Sequence, residues 1–332
     1  MEKVIAVVVT HNRLTLLSEC IDALRRQTRK PDAILVVNND SIDDTEKWLL
    51  SQQDLVFITQ KNIGSSGGFN TGINWAFENN YSWIWCMDDD GYPKEDALEK
   101  ILRSDIETLS LRNCAVVNKE DKKSFVWKTG RYQNIDEVDT HILKGVAHPF
   151  NGTMIHRNIV ERVGLPKPSL FLWGDETEYY YRITKKNKIP VYTITDSIHY
   201  HPAATFSYKK DWDYGKTWKM YFYVRNRLQI QESRFGTRMM AIFHYCFFLA
   251  ALTVLILLYQ KTDKSKKLGF LLWPAADAFN HDYTATPLTI LSRLETSKNF
   301  SYKKIVNAYF KNLLTGLLSG FNIAGFRRAA NL

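Results

Sequence analysis

The sequence predicts an α/β fold with a mostly parallel sheet, followed by a mainly helical C-terminal region. In the first ninety residues, β-branched apolar runs typical of strands alternate with helix-like segments, and polar clusters follow the runs. Strands joined through helices pair in parallel, with helices on both faces of the sheet. The 332 residues, of which 45% are hydrophobic, suffice for one large domain or two smaller ones.

Each element in this first part follows from a local pattern. The predicted order alternates four strands with three helices, and a flexible glycine-rich loop at residues 62–68 precedes the third helix. Ligands of such sheets bind beyond the carboxyl ends of the strands, where the polar clusters lie. The predicted strands are Lys3–Val9, Ala33–Val37, Leu55–Thr59 and Trp83–Met87, and the predicted helices are Leu14–Gln27, Thr45–Ser51 and Phe69–Asn79.

The pattern changes after about residue 113. Shorter strands and loops are predicted there, with one clear strand at Val191–Ile198, and helical, aromatic-rich sequence begins at Trp212. We therefore expect a first domain over residues 1–205 and a helical region over residues 206–332.

Net charge and cysteine content narrow the function classes only in part. The chain carries 44 Lys and Arg against 35 Asp and Glu, a net charge of +9 that suits nucleic acid, an anionic membrane or a phosphorylated substrate. The four cysteines form no C-x-x-C pair, so we expect reduced, buried thiols rather than a zinc site. The apolar run Val4–Thr10 has no preceding basic region and is too short for a signal peptide or a span, which predicts a cytoplasmic protein.

The segment Met239–Tyr259 is long and apolar enough to cross a membrane. Its 21 residues carry no formal charge, and His244 and Thr253 are its notably polar members. Three interpretations stay open: a helix on an anionic membrane surface, a buried helix of the C-terminal region, or a true span. Basic residues flank the segment on both sides: Arg234, Arg238, Lys261, Lys264, Lys266 and Lys267.

Three adjacent carboxylates, Asp88, Asp89 and Asp90, follow the fourth predicted strand. They repel one another, so clustering them costs stability unless a cation is bound. Carboxylate oxygens suit Mg²⁺ or Mn²⁺ that also binds phosphates. A solvated acidic turn is the alternative, but the position at a strand end of a nucleotide-binding pattern favours a functional site.

Two further clusters carry candidate chemistry. Trp173 precedes Asp175 and Glu176 in an apolar segment, where a raised pKa would suit a general base, although these acids also suit the first turn of a helix. His199 and His201 alternate along a predicted strand and share one face. Either would serve as a metal ligand, or would be an ordinary core or surface histidine.

Together these motifs resemble the inverting family-two glycosyltransferases, which have the GT-A fold, a Rossmann-like, mostly parallel sheet. The chain is most similar to the bacterial galactofuranosyltransferases and rhamnosyltransferases of surface-polysaccharide synthesis, such as O-antigen or capsule. The motifs occur in order over about the first 200 residues, and Tyr221–Arg227 is similar to the helical segment that follows the catalytic domain. The matching motifs are V-V-V-T-H-N-R (Val7–Arg13), V-V-N-N-D-S (Val36–Ser41), N-I-G-S-S-G-G-F-N-T-G (Asn62–Gly72), M-D-D-D-G-Y-P (Met87–Pro93), F-N-G-T (Phe150–Thr153), W-G-D-E-T-E (Trp173–Glu178) and H-Y-H (His199–His201).

The resemblance implies a donor half at residues 1–112, an acceptor half at residues 113–205, and a nucleotide-sugar donor. Asp88 and Asp90 match the D-x-D positions that hold Mn²⁺ or Mg²⁺ and the diphosphate. His199 matches the third protein ligand to the metal, with His201 as the fallback. The other implied donor contacts are Thr10 and Arg13 to the nucleotide and its phosphates, Asn38, Asn39 and Asn62 to the base and ribose, Gly67 and Gly68 against the donor, and Asp89 toward the ribose or sugar.

The resemblance also implies the reaction. Asp175 matches the catalytic base that takes the proton of the acceptor hydroxyl, and attack opposite the leaving group inverts the anomeric centre. Trp173 would be a platform in the acceptor site, together with Glu176 and His201. The implied donor is UDP-galactofuranose, with dTDP-rhamnose as the alternative, because Asn38 stands where many relatives have Asp.

The implied acceptor is a lipid-linked glycan at the cytoplasmic leaflet. We therefore expect peripheral attachment to the anionic inner face of the cell membrane, and a homo-oligomer is compatible with the sequence. A nucleic-acid partner is not expected, because it would not explain the acidic cluster. A nucleotidyltransferase is a more distant alternative, but it should have a basic phosphate loop near its N-terminus, where only Arg13 is available.

Overall fold

The computed structural model describes residues 2–103, 105–203 and 210–296, and short stretches between 303 and 318. The chain divides into two compact units. The first comprises residues 1–171 and 175–205, and the second comprises residues 172–174 and 206–332. Each unit is described by itself.

The first unit is built on a mixed sheet. Its strand order is β3-β2-β1-β4-β10-β6-β11-β5, where β1 to β4 are parallel, β11 is parallel to β6, and β10 and β5 are antiparallel to their neighbours. β7 and β8 form a hairpin beside β6, and β9 pairs with β11. The strands among the described residues are β1 (Val4–Thr10), β2 (Ala33–Asn38), β3 (Val56–Thr59), β4 (Trp83–Asp88), β5 (Tyr92–Pro93), β6 (Leu111–Asn118), β7 (Ser124–Thr129), β8 (Tyr132–Asn134), β9 (Ile142–Lys144), β10 (Thr153–His156) and β11 (Val191–His201).

Helices connect these strands and cover the sheet. The last of them, α6, continues into a π-helical turn at Arg182–Lys186. Short 3₁₀ turns occur at Ile135–Glu137 and Pro168–Leu170. The helices of the first unit are α1 (Leu14–Arg25), α2 (Thr45–Ser51), α3 (Gly64–Glu78), α4 (Ala97–Ile101), α5 (Arg157–Val163) and α6 (Asp175–Tyr181).

Strand β1 explains why the sequence begins with a continuous apolar run. All seven of its residues are buried, because both faces of the sheet are covered. Val4, Ala6 and Val8 pack in the core on the face that α1 covers. Ile5 and Val7 pack in the core on the opposite face, against α3. The predicted parallel α/β arrangement of the first ninety residues is therefore confirmed.

The polar clusters of the donor half meet at one edge of the sheet. In the strand register, Thr10 is paired with Asn38, Asn38 with Thr59, and Val9 with Asp88. Parallel strands end at the same edge, so their terminal polar side chains are brought together. The sheet therefore gathers residues that lie up to about eighty positions apart in the sequence.

The second unit is helical among its described residues. Tyr245 on α8 donates a hydrogen bond to the carbonyl of Val224 on α7 (3.0 Å), and Tyr221 on α7 donates to Asp277 on α9. Lys267 is buried and donates to Asp211 (2.8 Å), which contrasts with its predicted place in an exposed basic flank. A 3₁₀ turn at Tyr214–Lys216 precedes the helices, which are α7 (Trp218–Phe235), α8 (Arg238–Tyr259), α9 (Lys264–Asn280) and α10 (Pro287–Glu295).

The four cysteines are free thiols in the structure. Cys20, Cys86 and Cys114 are buried, and Cys246 is half-buried. Burial raises the pKa of Cys86 and of Cys114, the latter to about 12. These thiols are therefore protonated and act as small apolar side chains.

The glycine-rich stretch differs from its prediction. A loop was expected at residues 62–68, but α3 begins at Gly64. A Cβ at Gly68 would overlap Val9 Cγ1, and a Cβ at Gly72 would overlap Val7 Cγ1. Each glycine lowers intrinsic helix stability by about 1 kcal/mol relative to alanine. Close packing of α3 on β1 offsets that cost, which propensity alone does not reveal.

We predict that Gly72→Ala destabilises the protein by about 1–3 kcal/mol through overpacking against Val7. Urea unfolding measures the change. Asn74→Ala on the same helix is the control, and we expect its effect to stay within about 0.5 kcal/mol. Combined with Val7→Ala, the Gly72→Ala change should cost less than the sum of the two single changes. Full additivity would contradict the proposed contact.

Candidate active site

The acidic turn after β4 is tied to the end of β1 and the start of α1. Thr10 Oγ1 donates to Asp89 Oδ2 (2.8 Å), and Arg13 Nη1 donates to Asp89 Oδ1 (3.0 Å) and Asp90 Oδ2 (2.9 Å). Both carboxylate oxygens of the buried Asp89 are thus occupied by protein donors. Asp89 organises the turn, and its predicted contact with the ribose or sugar stays a prediction, as do the donor contacts of Thr10 and Arg13.

The three carboxylates have different electrostatic environments. Burial raises the pKa of Asp88, and the neighbouring Asp90 and Asp89 raise it further. Burial also raises the pKa of Asp89, in spite of Arg13 and Thr10. Burial opposes ionisation of Asp90 as well, but His201 and Arg13 outweigh it and lower the pKa of Asp90 to about 2. One arginine therefore leaves the cluster with an excess of negative charge that a cation would offset.

His201 faces Asp90 through its Nε2 atom. Its Nδ1 lies 2.7 Å from the carbonyl oxygen of Pro202, so Nδ1 must carry the proton and donate. Its Nε2 lies 3.3 Å from Asp90 Oδ1, which forms no hydrogen bond among the described residues. In the neutral ring, two lone pairs therefore face each other. Either a proton on Nε2 or a cation between the two atoms resolves this contact.

His199, the predicted third metal ligand, has a different environment from His201, and its ligand role stays a prediction. It is fully buried, and neither ring nitrogen has a hydrogen-bond partner among the described residues. Its Nε2 lies against Gly91, where a Cβ would overlap it. Burial, and to a lesser extent His201, lowers the pKa of His199 to about 3, so the ring is neutral. The resemblance assigned the third ligand to His199, whereas His201 is the histidine in ion-pair contact with Asp90.

These residues fit a divalent cation shared with a ligand. Cis ligands of an octahedral ion at about 2.1 Å lie about 3.0 Å apart, close to the 3.3 Å between Asp90 Oδ1 and His201 Nε2. In the described part of the chain, no group of three or more His, Cys, Asp or Glu side chains is placed to hold a metal ion by itself. An open arrangement suits Mg²⁺ or Mn²⁺, which take one or two carboxylates and complete their coordination with water and phosphate.

The acids of the W-G-D-E-T-E motif have contrasting environments. Asp175 begins α6 and is buried, and burial, then Glu176 and Asp88, raise its pKa. No Lys, Arg or His among the described residues pairs with it. Glu178 is equally buried but is bound by Lys167 Nζ (2.9 Å) and Arg182 Nε (3.0 Å). Glu178 therefore stabilises the fold, whereas Asp175 is a buried carboxylate available for proton transfer.

The backbone before Asp175 is strained. Phe171 and Trp173 have φ values of 66° and 57°, in the left-handed region that aromatic residues rarely adopt. Within the second unit, Asn226 Nδ2 donates to the carbonyls of Leu172 (3.0 Å) and Trp173 (3.1 Å) and holds this conformation. Residues held in such conformations cluster at functional sites. The sequence indicated the Tyr221–Arg227 motif but not this contact of Asn226.

Trp173 lies in the second unit, next to Tyr223 and Lys219. The ring centroids of Trp173 and Tyr223 are 6.4 Å apart, and Lys219 Nζ lies 5.8 Å from the Trp173 ring. Its predicted contact with the acceptor, and that of Glu176 in the first unit, stay predictions.

The three asparagines that were predicted to contact the nucleobase and ribose hold the loops at the sheet edge. Asn38 donates to Thr59 Oγ1 (3.3 Å) and accepts from the backbone N–H of Ser41 (3.1 Å). Asn39 donates to the carbonyl of Gly64 (3.0 Å). Asn62 accepts from the backbone N–H of Gly64 (3.0 Å) at the start of α3. These contacts shape the pocket edge, and direct contacts of the asparagines, Gly67 and Gly68 with a nucleotide stay predictions.

Sequence reasoning missed Trp127, whose ring lies beside His201, and its neighbour His148. The Trp127 ring on β7 lies 4.9 Å from the His201 ring and 5.4 Å from the His148 ring. Burial lowers the pKa of His148 to about 4, so it is neutral. A half-exposed Trp beside a candidate cation site suits stacking on a sugar or a base. Trp127 falls among short strands with no motif, and only β-strand pairing places it here.

Comparison with known proteins identifies the family. Galactofuranosyltransferase GlfT1 of Mycobacterium tuberculosis is 31% identical over 222 residues, which cover 63% of this chain and 73% of that protein. Residues 5–162 match the model of glycosyl transferase family 2. The chain belongs to glycosyl transferase family 2. Its crystallographic neighbours share the GT-A fold: S. aureus TarS residues 1–349, in complex with UDP, superposes with a TM-score of 0.52 at 11% identity over 96% of this chain and 92% of that one.

Membership of this family confirms the resemblance drawn from the motifs. The chain is a hexosyltransferase with a GT-A fold and a helical C-terminal region. GlfT1 of Mycolicibacterium smegmatis is 32% identical over 223 residues, 63% of this chain and 74% of that protein. Neither the nucleotidyltransferase nor the nucleic-acid interpretation has support from these similarities.

We predict opposite stability effects from two buried acids of α6. Asp175→Asn should raise the melting temperature, because it removes an unpaired buried charge; a gain of 1 kcal/mol corresponds to about 2–4 °C. The folded-state pKa of Asp175 is raised above the unfolded value, so ionisation lowers stability as pH rises. The gain should therefore be small near pH 4 and largest at neutral pH.

Glu178→Gln is the matched comparison on the same helix. It weakens hydrogen bonds to two cations and should lower stability by about 1.5–3 kcal/mol. Differential scanning fluorimetry from pH 4 to 8 measures both variants. A loss of stability in Asp175→Asn as large as that in Glu178→Gln would show that Asp175 is a structural residue.

Proposed function

We propose that this glycosyltransferase moves galactofuranose from UDP-galactofuranose to a lipid-linked glycan of a cell-surface polysaccharide, with inversion and with a divalent cation. The sugar and nucleotide rest on the similarity to the galactofuranosyltransferases GlfT1. One structural observation carries the mechanism. Asp175, with which no Lys, Arg or His of the described residues pairs, lies close enough to Asp88 for the Asp88 carboxylate to raise its pKa. A candidate base and a candidate cation site thus share one cluster in the first unit.

Asp90 and His201 would hold the cation, which when bound neutralises charge on the leaving diphosphate, and the ligand role of Asp88 stays a prediction. Arg13 remains partly exposed and would contact the phosphates with those guanidinium nitrogens that Asp89 and Asp90 do not engage. Trp127 would cover the sugar or base next to His201. The half-exposed ring needs no change in the fold to do so.

Asp175 would accept the proton of the attacking acceptor hydroxyl. The acceptor oxygen forms its bond to the anomeric carbon as the bond from that carbon to the diphosphate oxygen breaks, and UDP leaves with the electron pair. The raised pKa of Asp175 makes it a stronger base than a free aspartate. No nucleophile is required, since a single displacement inverts the anomeric centre.

The dTDP-rhamnose alternative came from the resemblance to rhamnosyltransferases, and Asn38 left the choice between UDP and dTDP open. Both ends of the Asn38 amide are occupied by Thr59 and Ser41, so its contacts favour neither nucleotide. The similarities described above name galactofuranosyltransferases, and UDP-galactofuranose is therefore the donor that we propose.

We predict that UDP binding requires a divalent cation and depends on His201 more than on His199. Calorimetry should give measurable affinity with Mn²⁺ and at least about tenfold weaker binding in EDTA. His201→Asn should also weaken Mn²⁺-dependent binding by about tenfold or more, as loss of a metal-orienting group does. His199→Asn, checked for folding by its melting temperature, should have a smaller effect. Equal UDP affinity in the presence of Mn²⁺ and in the presence of EDTA would show that donor binding does not require the cation.

We predict transfer from UDP-galactofuranose and loss of turnover in Asp175→Asn by about 10²–10⁴-fold, with donor affinity unchanged. A panel of UDP-galactofuranose, UDP-galactopyranose, UDP-glucose and dTDP-rhamnose, scored by nucleotide release with Mn²⁺, measures donor choice. Glu176→Gln is the control for the assignment of Asp175 as general base, and it should retain more activity than Asp175→Asn. If Glu176→Gln is inactive and Asp175→Asn is active, Glu176 is the general base. Preference for dTDP-rhamnose would refute the sugar assignment.

A further inference from the structure

Helix α8 exposes a continuous apolar stripe to solvent. Every exposed residue from Met239 to Leu258 is apolar, and Phe247 and Leu258 are 70% and 69% exposed. These positions recur at three- and four-residue intervals, so they share one face about 28 Å long. The stripe comprises Met239, Met240, Phe243, Phe247, Ala250, Ala251, Val254, Leu257 and Leu258.

The opposite face of α8 is also apolar, and it is the one that packs in the protein. Six of its residues are buried: Ala241, Ile242, Tyr245, Leu249, Leu252 and Ile256. A helix at the surface of a water-soluble domain normally carries charged and polar residues on its outer face. The α8 stripe carries none, and contiguous exposed apolar surface of this kind marks an interaction site.

Cations border the stripe at both ends. Lys264 Nζ donates to the carbonyl of Leu257, a stripe residue (2.8 Å), and Lys261 is exposed one turn away. Arg234 is exposed near the other end. Three other basic side chains of this region, Arg238, Lys266 and Lys267, are ion-paired with Glu232, Asp263 and Asp211. An apolar stripe bordered by cations is complementary to a surface of acyl chains and anionic headgroups.

We propose that the α8 stripe docks in the plane of an anionic lipid bilayer, as the membrane-attachment surface of the second unit. The apolar side chains enter the boundary between headgroups and acyl chains, and Arg234, Lys261 and Lys264 contact anionic headgroups. This attachment is peripheral and rests on the second unit alone. It is independent of the sugar and cation assigned above.

The packing of α8 favours an in-plane helix over a span. By length and composition α8 would cross a membrane, but a third of its most apolar stretch is buried in the protein. Its middle turns contact α7, through Tyr245 to the Val224 carbonyl and through Phe248 to the Arg227 guanidinium (5.3 Å). A span would break these contacts or carry the charged α7 into hydrocarbon, at a cost that grows with each charge.

Charge also disfavours a second copy of this chain as the occupant. In an antiparallel pairing of two α8 stripes, the end beside Arg234 and Arg238 would meet the end beside Lys261 and Lys264. Like charges would then be brought together at both ends of the interface. Anionic lipid removes that repulsion and gains from the same cations.

Vesicle flotation of the full chain tests the proposal. Wild type should float with phosphatidylcholine vesicles that contain 30% phosphatidylglycerol, should not float with pure phosphatidylcholine, and should be released by 1 M salt. Replacing two stripe residues, Phe247→Gln with Leu258→Gln, should weaken partitioning about tenfold or more. The matched control replaces two exposed apolar residues of the first unit, Ile42→Gln with Leu50→Gln, which are 90% and 71% exposed, and should bind as wild type.

A series of lysine substitutions measures the electrostatic contribution to vesicle binding. Lys261→Gln with Lys264→Gln should lower binding to anionic vesicles, whereas Lys185→Gln with Lys188→Gln in the first unit should not. Lys267 is excluded from the series because it is buried against Asp211.

Four outcomes would overturn the proposal. The first is wild type that stays unbound to anionic vesicles at low salt, and the second is binding with no loss in the stripe variant. Retention through a carbonate wash would indicate a span. A light-scattering mass of a dimer that falls to a monomer in the stripe variant, without vesicle binding, would assign the stripe to self-association.

Discussion

The active-site arrangement depends on the excess negative charge at the end of β4. Asp88, Asp89 and Asp90 are adjacent, largely withdrawn from water, and balanced by a single arginine. The surrounding contacts follow from this constraint: Thr10 and Arg13 saturate Asp89, and His201 approaches Asp90. What remains is an open set of oxygen and nitrogen donors at the edge where parallel strands end, which is a favourable place for a cation and a diphosphate.

The same constraint links the turn to Asp175, the proposed general base. Asp175 and Glu178 lie on one short helix, and both are buried, yet of these two acids only Glu178 has cationic partners among the residues that the structure describes. An unpaired buried carboxylate costs stability, and proteins keep such groups where chemistry requires a raised pKa. Strain at Phe171 and Trp173, directly before Asp175 in the chain, adds to this cost. Asp175 thus has the properties of a residue retained for reaction rather than for folding.

Much of this was predictable from sequence, because the signals were local or rested on motifs in a fixed order. The first four strands and their carboxyl-edge polar residues follow from apolar runs and from parallel pairing. The start of α3 at Gly64 was not predictable, because glycines at 68 and 72 serve close packing on Val9 and Val7, a tertiary contact. The sequence also did not show which of His199 and His201 faces Asp90, because both lie on one face of the strand. The tautomer of His201 follows from its contact with the Pro202 carbonyl, which only the structure shows. Trp127 carries no motif and reaches the site through strand pairing.

The central claim is that Asp90 and His201 form the protein side of a cation site for a nucleoside diphosphate. Crystals grown with UDP and Mn²⁺, with diffraction collected at the manganese absorption edge, test it most directly. The account predicts an anomalous peak within about 2.5 Å of both Asp90 Oδ1 and His201 Nε2, next to the diphosphate. Bound UDP with no manganese there, or manganese held instead by His199, would contradict it.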